Sequence, residues 1–274
     1  MPTSRRVSAM STLHLVCAAG EGTRFHDLLG DLPKPLIRLE GRRLLDWAIR
    51  SLPIRSGDRV AVVVQRRHEV RRRFESRVLD PGTGPPLEWV ELDAPTRGQL
   101  ETALAAIEAL GSTPRHGDDA RDRSLAIYNC DTYFESHTLA GMLDDESNAG
   151  ILPCSLEPGD SWSFCEVDDA DRVRRIAEKI RVGPWATAGF YFFRDLEIFV
   201  ARAGEAVATF DTVAASSKVA SGSELYVAPL YQRYLDAGET IAIDRVRTFK
   251  PMGTPEQIER YWGVSEETLK AENA

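Results

Sequence analysis

The stretch Leu13–Ile37, LHLVCAAGEGTRFHDLLGDLPKPLI, decides how the rest of the chain is read. Its opening apolar run, Leu13 to Ala18, has the length and composition of a short buried strand. Ala19, Gly20, Glu21, Gly22, Thr23 and Arg24 follow as a loop. Two glycines let a backbone fold tightly and turn successive N–H groups toward phosphate oxygens. Arg24 adds a planar cation suited to phosphate, and Lys34 brings a second cation just before Pro35 and Leu36. A glycine loop and two cations at one strand end point to a polyphosphate site.

Other phosphate loops fit less well. A dinucleotide fingerprint needs a third glycine for helix packing, where this chain has Phe25. A Walker loop needs Gly-Lys-Ser/Thr directly before a helix, and the sequence has none. Alone, Gly20-Glu21-Gly22 reads as an ordinary turn. Joined to Thr23-Arg24 and Lys34-Pro35-Leu36, the string resembles the signature of the sugar-1-phosphate nucleotidyltransferases, the nucleotide-sugar pyrophosphorylases. The resemblance runs from about Leu13 to Tyr261. It implies an α/β fold of the Rossmann-like, GT-A type: a three-layer sandwich around a mostly parallel central sheet.

Composition is that of an ordinary globular protein. The 274 residues are 43% hydrophobic and 28% charged, ordinary values for a soluble globular protein, and the chain is long enough for one large α/β domain or two small ones. A net charge of −8 argues against a nucleic-acid partner, which needs a basic excess. An anionic nucleotide would then rest on a few local cations. Cys17, Cys130, Cys154 and Cys165 lie far apart without metal-type spacing, so they read as reduced, buried thiols of a cytoplasmic protein. No run approaches membrane-spanning length. Residues 1–11 read as a flexible tail and 12–274 as one domain, with a nucleotide-binding half over 12–135 and a sugar-phosphate half over 150–265. A homo-oligomer is left open.

Along the chain, apolar spacing predicts a helix over residues 43–52, and the valine run at 60–64 predicts a strand covered on both faces. A basic helix is expected over 68–78, a turn-rich break at 81–86, a strand at 87–92 and a helix from Arg97 to about Leu110. A polar surface loop is expected over 111–123. The strand at 125–128 ends in Asn129-Cys130-Asp131. Strand–helix alternation of this kind builds a parallel sheet whose ligands bind at the carboxyl ends of its strands. In the second half, 163–167 and 172–177 flank an acidic turn as a hairpin, and 188–193 is an aromatic strand. A short helix is expected over 196–203, a small polar segment over 215–223, a helix over 225–235, a strand over 240–243, and a last helix beginning at Gly253-Thr254-Pro255.

Asp131 directly follows a strand, where a carboxylate can reach a divalent metal or cap a helix. The resemblance implies the first role, with Mg²⁺ as the ion. It places Gly98 and Gln99 against the nucleobase, Lys179 of Glu178-Lys179 on the acceptor phosphate, Gly189 where the sugar approaches the backbone, and Glu224 on sugar hydroxyls. Two departures stand out. The position of the usual second metal aspartate, two residues before Gly253, holds Pro251, which offers no side-chain ligand. The usual sugar-loop glycine is Ser163, flanked by Trp162 and Phe164, which implies a reshaped acceptor pocket. Asp244 is a candidate replacement ligand, or simply a solvated strand end.

The implied reaction is attack of a phosphate-monoester oxygen on the α-phosphorus of a nucleoside triphosphate, with pyrophosphate leaving. Ala19, Gly20, Gly22 and Thr23 would cradle the phosphates, with Arg24 on the departing pyrophosphate and Lys34 on the α-phosphate region. Asp131 would hold the metal, and Trp162, Lys179, Gly189 and Glu224 would receive the sugar phosphate. A metal-dependent glycosyltransferase and a weakened nucleotide-sugar-binding regulatory module are the rival readings. The first should lack the paired cations, and Pro251 gives the second its weight.

Overall fold

The computed structural model describes residues 11–74, 86–112, 124–215 and 224–274. Most of the expected tail, of the 81–86 break and of the 111–123 and 215–223 segments lies outside these residues.

The main sheet is built from β1 (Thr12–Cys17), β2 (Arg59–Gln65), β3 (Leu87–Leu92) and β4 (Ser124–Asn129) in its first half. A short β5 (Thr132–Glu135) follows apart from it. The second half adds β6 (Gly150–Leu156), β7 (Ser163–Val167), β8 (Val173–Glu178), β9 (Trp185–Thr187), β10 (Phe190–Phe193) and β11 (Ile241–Arg245). β12 (Thr248–Pro251) pairs with β5 in a small second sheet. The order across the main sheet is β8-β7-β9-β6-β10-β4-β1-β2-β3, with β11 beside β6. β4, β1, β2 and β3 are mutually parallel, and β10 joins them antiparallel to β4. The core of the sheet is therefore parallel, as expected, and the second half is largely antiparallel.

Side-chain period explains the layers. In β1, β2 and β10 consecutive residues point to opposite faces, and both faces are buried. Leu13, Leu15, Ala61, Val63, Tyr191 and Phe193 enter one core, and Val16, Val60, Val62, Val64, Phe190 and Phe192 enter the other. The helices of seven residues or more are α1 (Leu44–Arg50), α2 (Gln99–Ala109), α3 (Leu196–Ala215), α4 (Leu230–Asp236), α5 (Pro255–Trp262) and α6 (Glu266–Asn273). α2, α3 and α4 contribute to the first core and α1 to the second, which makes the three layers. A third cluster of Phe25, Ile37, Leu44, Met252, Ile258 and Trp262 ties the opening loop to the C-terminal helices.

Several local expectations need correction. The helix at Leu196 runs twenty residues, because the alanine-rich stretch after Gly204 outweighs one glycine's penalty of about 1 kcal/mol. The expected helix over 225–235 starts only at Leu230, since Leu225 is drawn out by backbone bonds to Arg97 and Leu100 and Pro229 sets the helix start. The basic helix over 68–78 is a 3₁₀ turn at Arg66–His68 and one α turn at Val70–Arg73, separated by Glu69 in the left-handed region; residues 75–78 lie outside the described set. Asp131 caps no helix; it turns the chain from β4 into β5.

Candidate active site

The carboxyl ends of β1 and β4 open on a cleft of about 1040 Å³. At the end formed by the glycine loop, Gly22 adopts φ +70°, and a side chain there would lie 3.0 Å from Lys34 Cβ. The glycine thus lets the loop lie against the segment that carries Lys34. The turn Thr23–Phe25 sends Phe25 into the third core and leaves Arg24 exposed on the cleft wall. Buried Gln65, at the end of β2, donates to the Ala19 carbonyl at 3.2 Å and holds the loop from below. Lys34 Nζ donates to Asp131 Oδ2 at 2.5 Å, with side chains only 14% and 25% exposed. Burial pushes the Asp131 carboxyl up, but the Lys34 ammonium, with Arg24 behind it, outweighs burial and holds it below the ordinary carboxylate range. Burial likewise drives the thiols of Cys17 and Cys130, both on this wall, up to about 12, so they remain protonated.

The wall carrying Gly98 and Gln99 is more occupied by protein than the sequence implies. Gln99 Nε2 donates to Asn129 Oδ1 at 2.6 Å. A side chain on Gly189, which has φ +73°, would lie 2.5 Å from Asn129 Nδ2. The space at Gly189 is therefore required by the Asn129 carboxamide. Gly98, with φ +153°, packs against Leu225: an added Cβ would stand 2.5 Å from its carbonyl oxygen.

At the opposite end of the cleft, Trp162 and Lys179 face each other across the β7–β8 hairpin, where Lys179 N–H donates to the Trp162 carbonyl at 2.9 Å. Lys179 sits at φ +55°, rare for a side-chain-bearing residue, and Nζ donates to the Tyr226 hydroxyl at 2.6 Å. That bond raises the lysine pKa further. The Tyr226 hydroxyl also meets Glu224, and burial with this carboxylate raises the phenol. Ser163 donates to Glu178, which gives the serine at the glycine position a definite partner. Burial nevertheless raises the Glu178 carboxyl, against the opposing pull of Ser163 and Lys179. Trp162 packs edge-on against Phe249, ring centroids 5.3 Å apart, and walls this end.

A family model described as the MobA-like NTP transferase domain matches residues 14–168, more than half of the chain. The chain belongs to that family. It is a nucleotidyltransferase, in agreement with the reading of Leu13–Ile37. A nucleoside-diphosphate-sugar pyrophosphorylase from Vibrio cholerae RC9 is similar over 91% of the transferase and 98% of its own chain, with a TM-score of 0.72 at 22% identity. The inositol-1-phosphate CTP transferase from T. maritima is similar over 96% and 97%, with a TM-score of 0.65 at 16% identity. At these identities the likeness is one of fold. No curated protein matches the transferase in sequence.

Of the residues singled out in the transferase sequence, Ala19, Gly20, Gly22, Arg24, Lys34, Gly98, Gln99, Asp131, Trp162, Lys179, Gly189 and Glu224 all line this one cleft. Thr23 does not; it faces solvent in the short turn behind Arg24. Asp244 is also elsewhere. It is buried, accepts from the Thr138 hydroxyl, and borders a separate cleft with Asp171 and Arg245. Asn129, Glu178, Tyr226 and Gln257 line the main cleft without having been assigned a role from sequence. Asn129 and Glu178 carried a signal in being polar strand ends beside assigned residues, whereas Tyr226 and Gln257 carried none. Among the described residues no group of three or more His, Cys, Asp or Glu side chains forms a metal site, and no helix is long and apolar enough to cross a membrane.

Proposed function

We propose that the transferase joins a nucleoside triphosphate to a sugar 1-phosphate, or a similar phosphate monoester, to give an NDP-sugar and pyrophosphate. The observation that carries this reading is the polarity of the cleft. Arg24, Lys34 and Asp131 gather at one end, and Lys179, Tyr226, Glu178 and Glu224 at the other, on a single connected wall. A triphosphate matches the first set, and a phosphorylated polyol matches the second: one cation for its phosphate and carboxylates for its hydroxyls. The fold shared with the pyrophosphorylase and the inositol-phosphate transferase supports the same assignment.

In this scheme the acceptor's phosphate oxygen attacks the α-phosphorus, the bond to the β-phosphate bridging oxygen breaks, and pyrophosphate departs with that electron pair. Positioning and charge neutralisation supply the acceleration, without a covalent enzyme intermediate. Gly20 and Gly22 hold the phosphate loop, Arg24 receives the leaving pyrophosphate, Lys34 covers the α-phosphate, and Lys179 fixes the acceptor phosphate. Gln99 borders the base through its tie to Asn129.

A divalent metal, which we assign as Mg²⁺, fits the residues present: Asp131 offers a carboxylate, Gln257 an amide oxygen, and the nucleotide would complete a hard-oxygen shell. When bound it would neutralise phosphate charge. The free cysteines, three of them buried, suit a cytoplasmic enzyme. The test is pyrophosphate release from a panel of nucleoside triphosphates crossed with sugar 1-phosphates and inositol phosphate. Release that requires one triphosphate and one acceptor together is expected. Hydrolysis independent of any acceptor, or sugar transfer from an NDP-sugar, would overturn the reading.

A further inference from the structure

Pro251 removes a carboxylate from the place where the resembling enzymes carry their second metal ligand, yet the cleft beside Asp131 is not left bare. Gly253 sits between two oxygens. The position a Cβ would occupy there is 2.9 Å from Gln257 Oε1 and 3.1 Å from Asp131 Oδ2. The absent side chain keeps the ground between an amide oxygen and a carboxylate oxygen open. Gln257 is also held in a defined orientation. Gly253 N–H donates to its Oε1 at 2.8 Å, which fixes the oxygen, rather than the NH₂, toward this gap. Its own N–H donates to the Thr254 hydroxyl at the start of α5. The backbone supports the pair from the other side, since Met252 N–H donates to the Asp131 carbonyl at 2.8 Å.

We propose that the Gln257 carboxamide oxygen is the second protein oxygen of the divalent-metal site, standing in for the carboxylate that Pro251 excludes. This rests on the nucleotidyltransferase reading for its purpose, but not for its test. Such a site carries one protein negative charge instead of two, and Lys34 already neutralises that charge at 2.5 Å. Metal affinity drops when the ligands carry less negative charge, so the protein without nucleotide holds the ion weakly. The triphosphate then supplies the missing anionic oxygens and draws Lys34 toward itself. The competing explanation is that Gln257 only closes the first turn of α5, as Glu or Gln commonly does at this position after a capping Thr.

Glutamate would serve that capping role equally well, so Gln257→Glu separates the two. Mn²⁺ is the probe, its free fraction counted by electron paramagnetic resonance on the protein without nucleotide. Lys34→Met provides the background, to remove the competing ammonium. Adding Gln257→Glu to Lys34→Met should tighten Mn²⁺ binding by at least about tenfold, and a further Asp131→Asn should abolish the gain. Gly253→Ala in the same background should weaken binding, because its methyl enters the gap between the oxygens; Gly253 is not in the left-handed region, so alanine brings no backbone strain there. Thermal melts confirm that each variant is folded. Unchanged affinity on adding Gln257→Glu, a gain that survives Asp131→Asn, or no effect of Gly253→Ala would overturn the proposal. None of these readouts involves turnover, so a failed substrate panel and a failed metal site are told apart.

Discussion

Gly98→Ala tests whether the Gln99 and Glu224 walls of the cleft, proposed to receive the base and the acceptor, are joined through one backbone contact. Gly98 has φ +153° and ψ −179°, a conformation open almost only to glycine and worth about 1–3 kcal/mol of strain for alanine. The new methyl would stand 2.5 Å from the Leu225 carbonyl oxygen and 2.6 Å from its nitrogen, and neither backbone atom can rotate away. Relief requires the two segments to part by roughly 1 Å in a close-packed region. That parting threatens the Leu225 N–H bond to the Arg97 carbonyl at 2.9 Å and the Leu100 N–H bond to the Leu225 carbonyl at 3.0 Å. Each is worth about 1 kcal/mol, so the variant should lose about 3–5 kcal/mol in all. Gly20→Ala is the matched control: nothing lies within 4 Å of its Cβ position, and it is outside the left-handed region. Urea unfolding followed by circular dichroism gives the stabilities, and steady-state kinetics gives KM for both substrates. Gly98→Ala should lower the urea midpoint and raise both KM values, because Gln99 and Glu224 flank the displaced contact. Gly20→Ala should keep its stability within about 0.5 kcal/mol. A Gly98→Ala protein of undiminished stability, or one impaired for a single substrate, would refute the argument.

Arg24→Ala and Lys34→Ala should each reduce kcat by about 10²–10³-fold, the usual scale for removing a charge-stabilising donor, while circular dichroism stays native; near-normal turnover in either would remove it from the phosphate site. Lys179→Ala should raise the acceptor KM far more than the nucleotide KM in initial-rate measurements, and equal effects would move Lys179 out of the acceptor pocket. At the far end of β1, buried Asp58 accepts from the backbone N–H groups of Thr12 at 2.9 Å and Arg55 at 2.8 Å and pairs with His14 at 3.2 Å. Burial raises this carboxyl, yet these partners outweigh it and the net shift is downward. Its stabilising contribution is therefore complete above the ordinary carboxylate range of about 4 and is lost as pH falls through the lower folded value. Urea midpoints measured from about pH 6 to pH 2 should fall more steeply for the wild type than for Asp58→Asn, and parallel curves would count against the assignment.

What the chain determined by itself was whatever depends on near neighbours. Alternating or continuous apolar runs specified β1, β2 and β10, because a strand's two faces are read from successive residues. The acidic turn at Asp168–Asp171 specified its hairpin: the Asp168 carboxylate accepts from the N–H groups of Ala170 and Arg172 within four positions. Gly-Thr-Pro at 253–255 announced α5, with Thr254 as its cap. The loop at Gly20–Arg24 and the cation at Lys34 were legible as a phosphate-binding string because the residue types themselves carry that chemistry.

Pairings across long sequence separations were decided only by the tertiary structure. Lys34 and Asp131 are 97 positions apart, Gln99 and Asn129 are 30, and nothing in either local pattern announces the partner. The same holds for Gly98 and Gly189, whose missing side chains make room for Leu225 and Asn129. Leu225 shows the limit most directly. Its helical spacing with Ala228, Tyr231 and Leu235 was genuine, but two backbone bonds to Arg97 and Leu100, more than a hundred residues earlier, keep it out of the helix. Asp244 was a plausible ligand by order along the chain, and the parallel pairing of β11 with β6 carried it to another cleft. Periodicity reports which face of an element is apolar; the element it meets, and the polar groups left to pair there, are settled only when the layers pack.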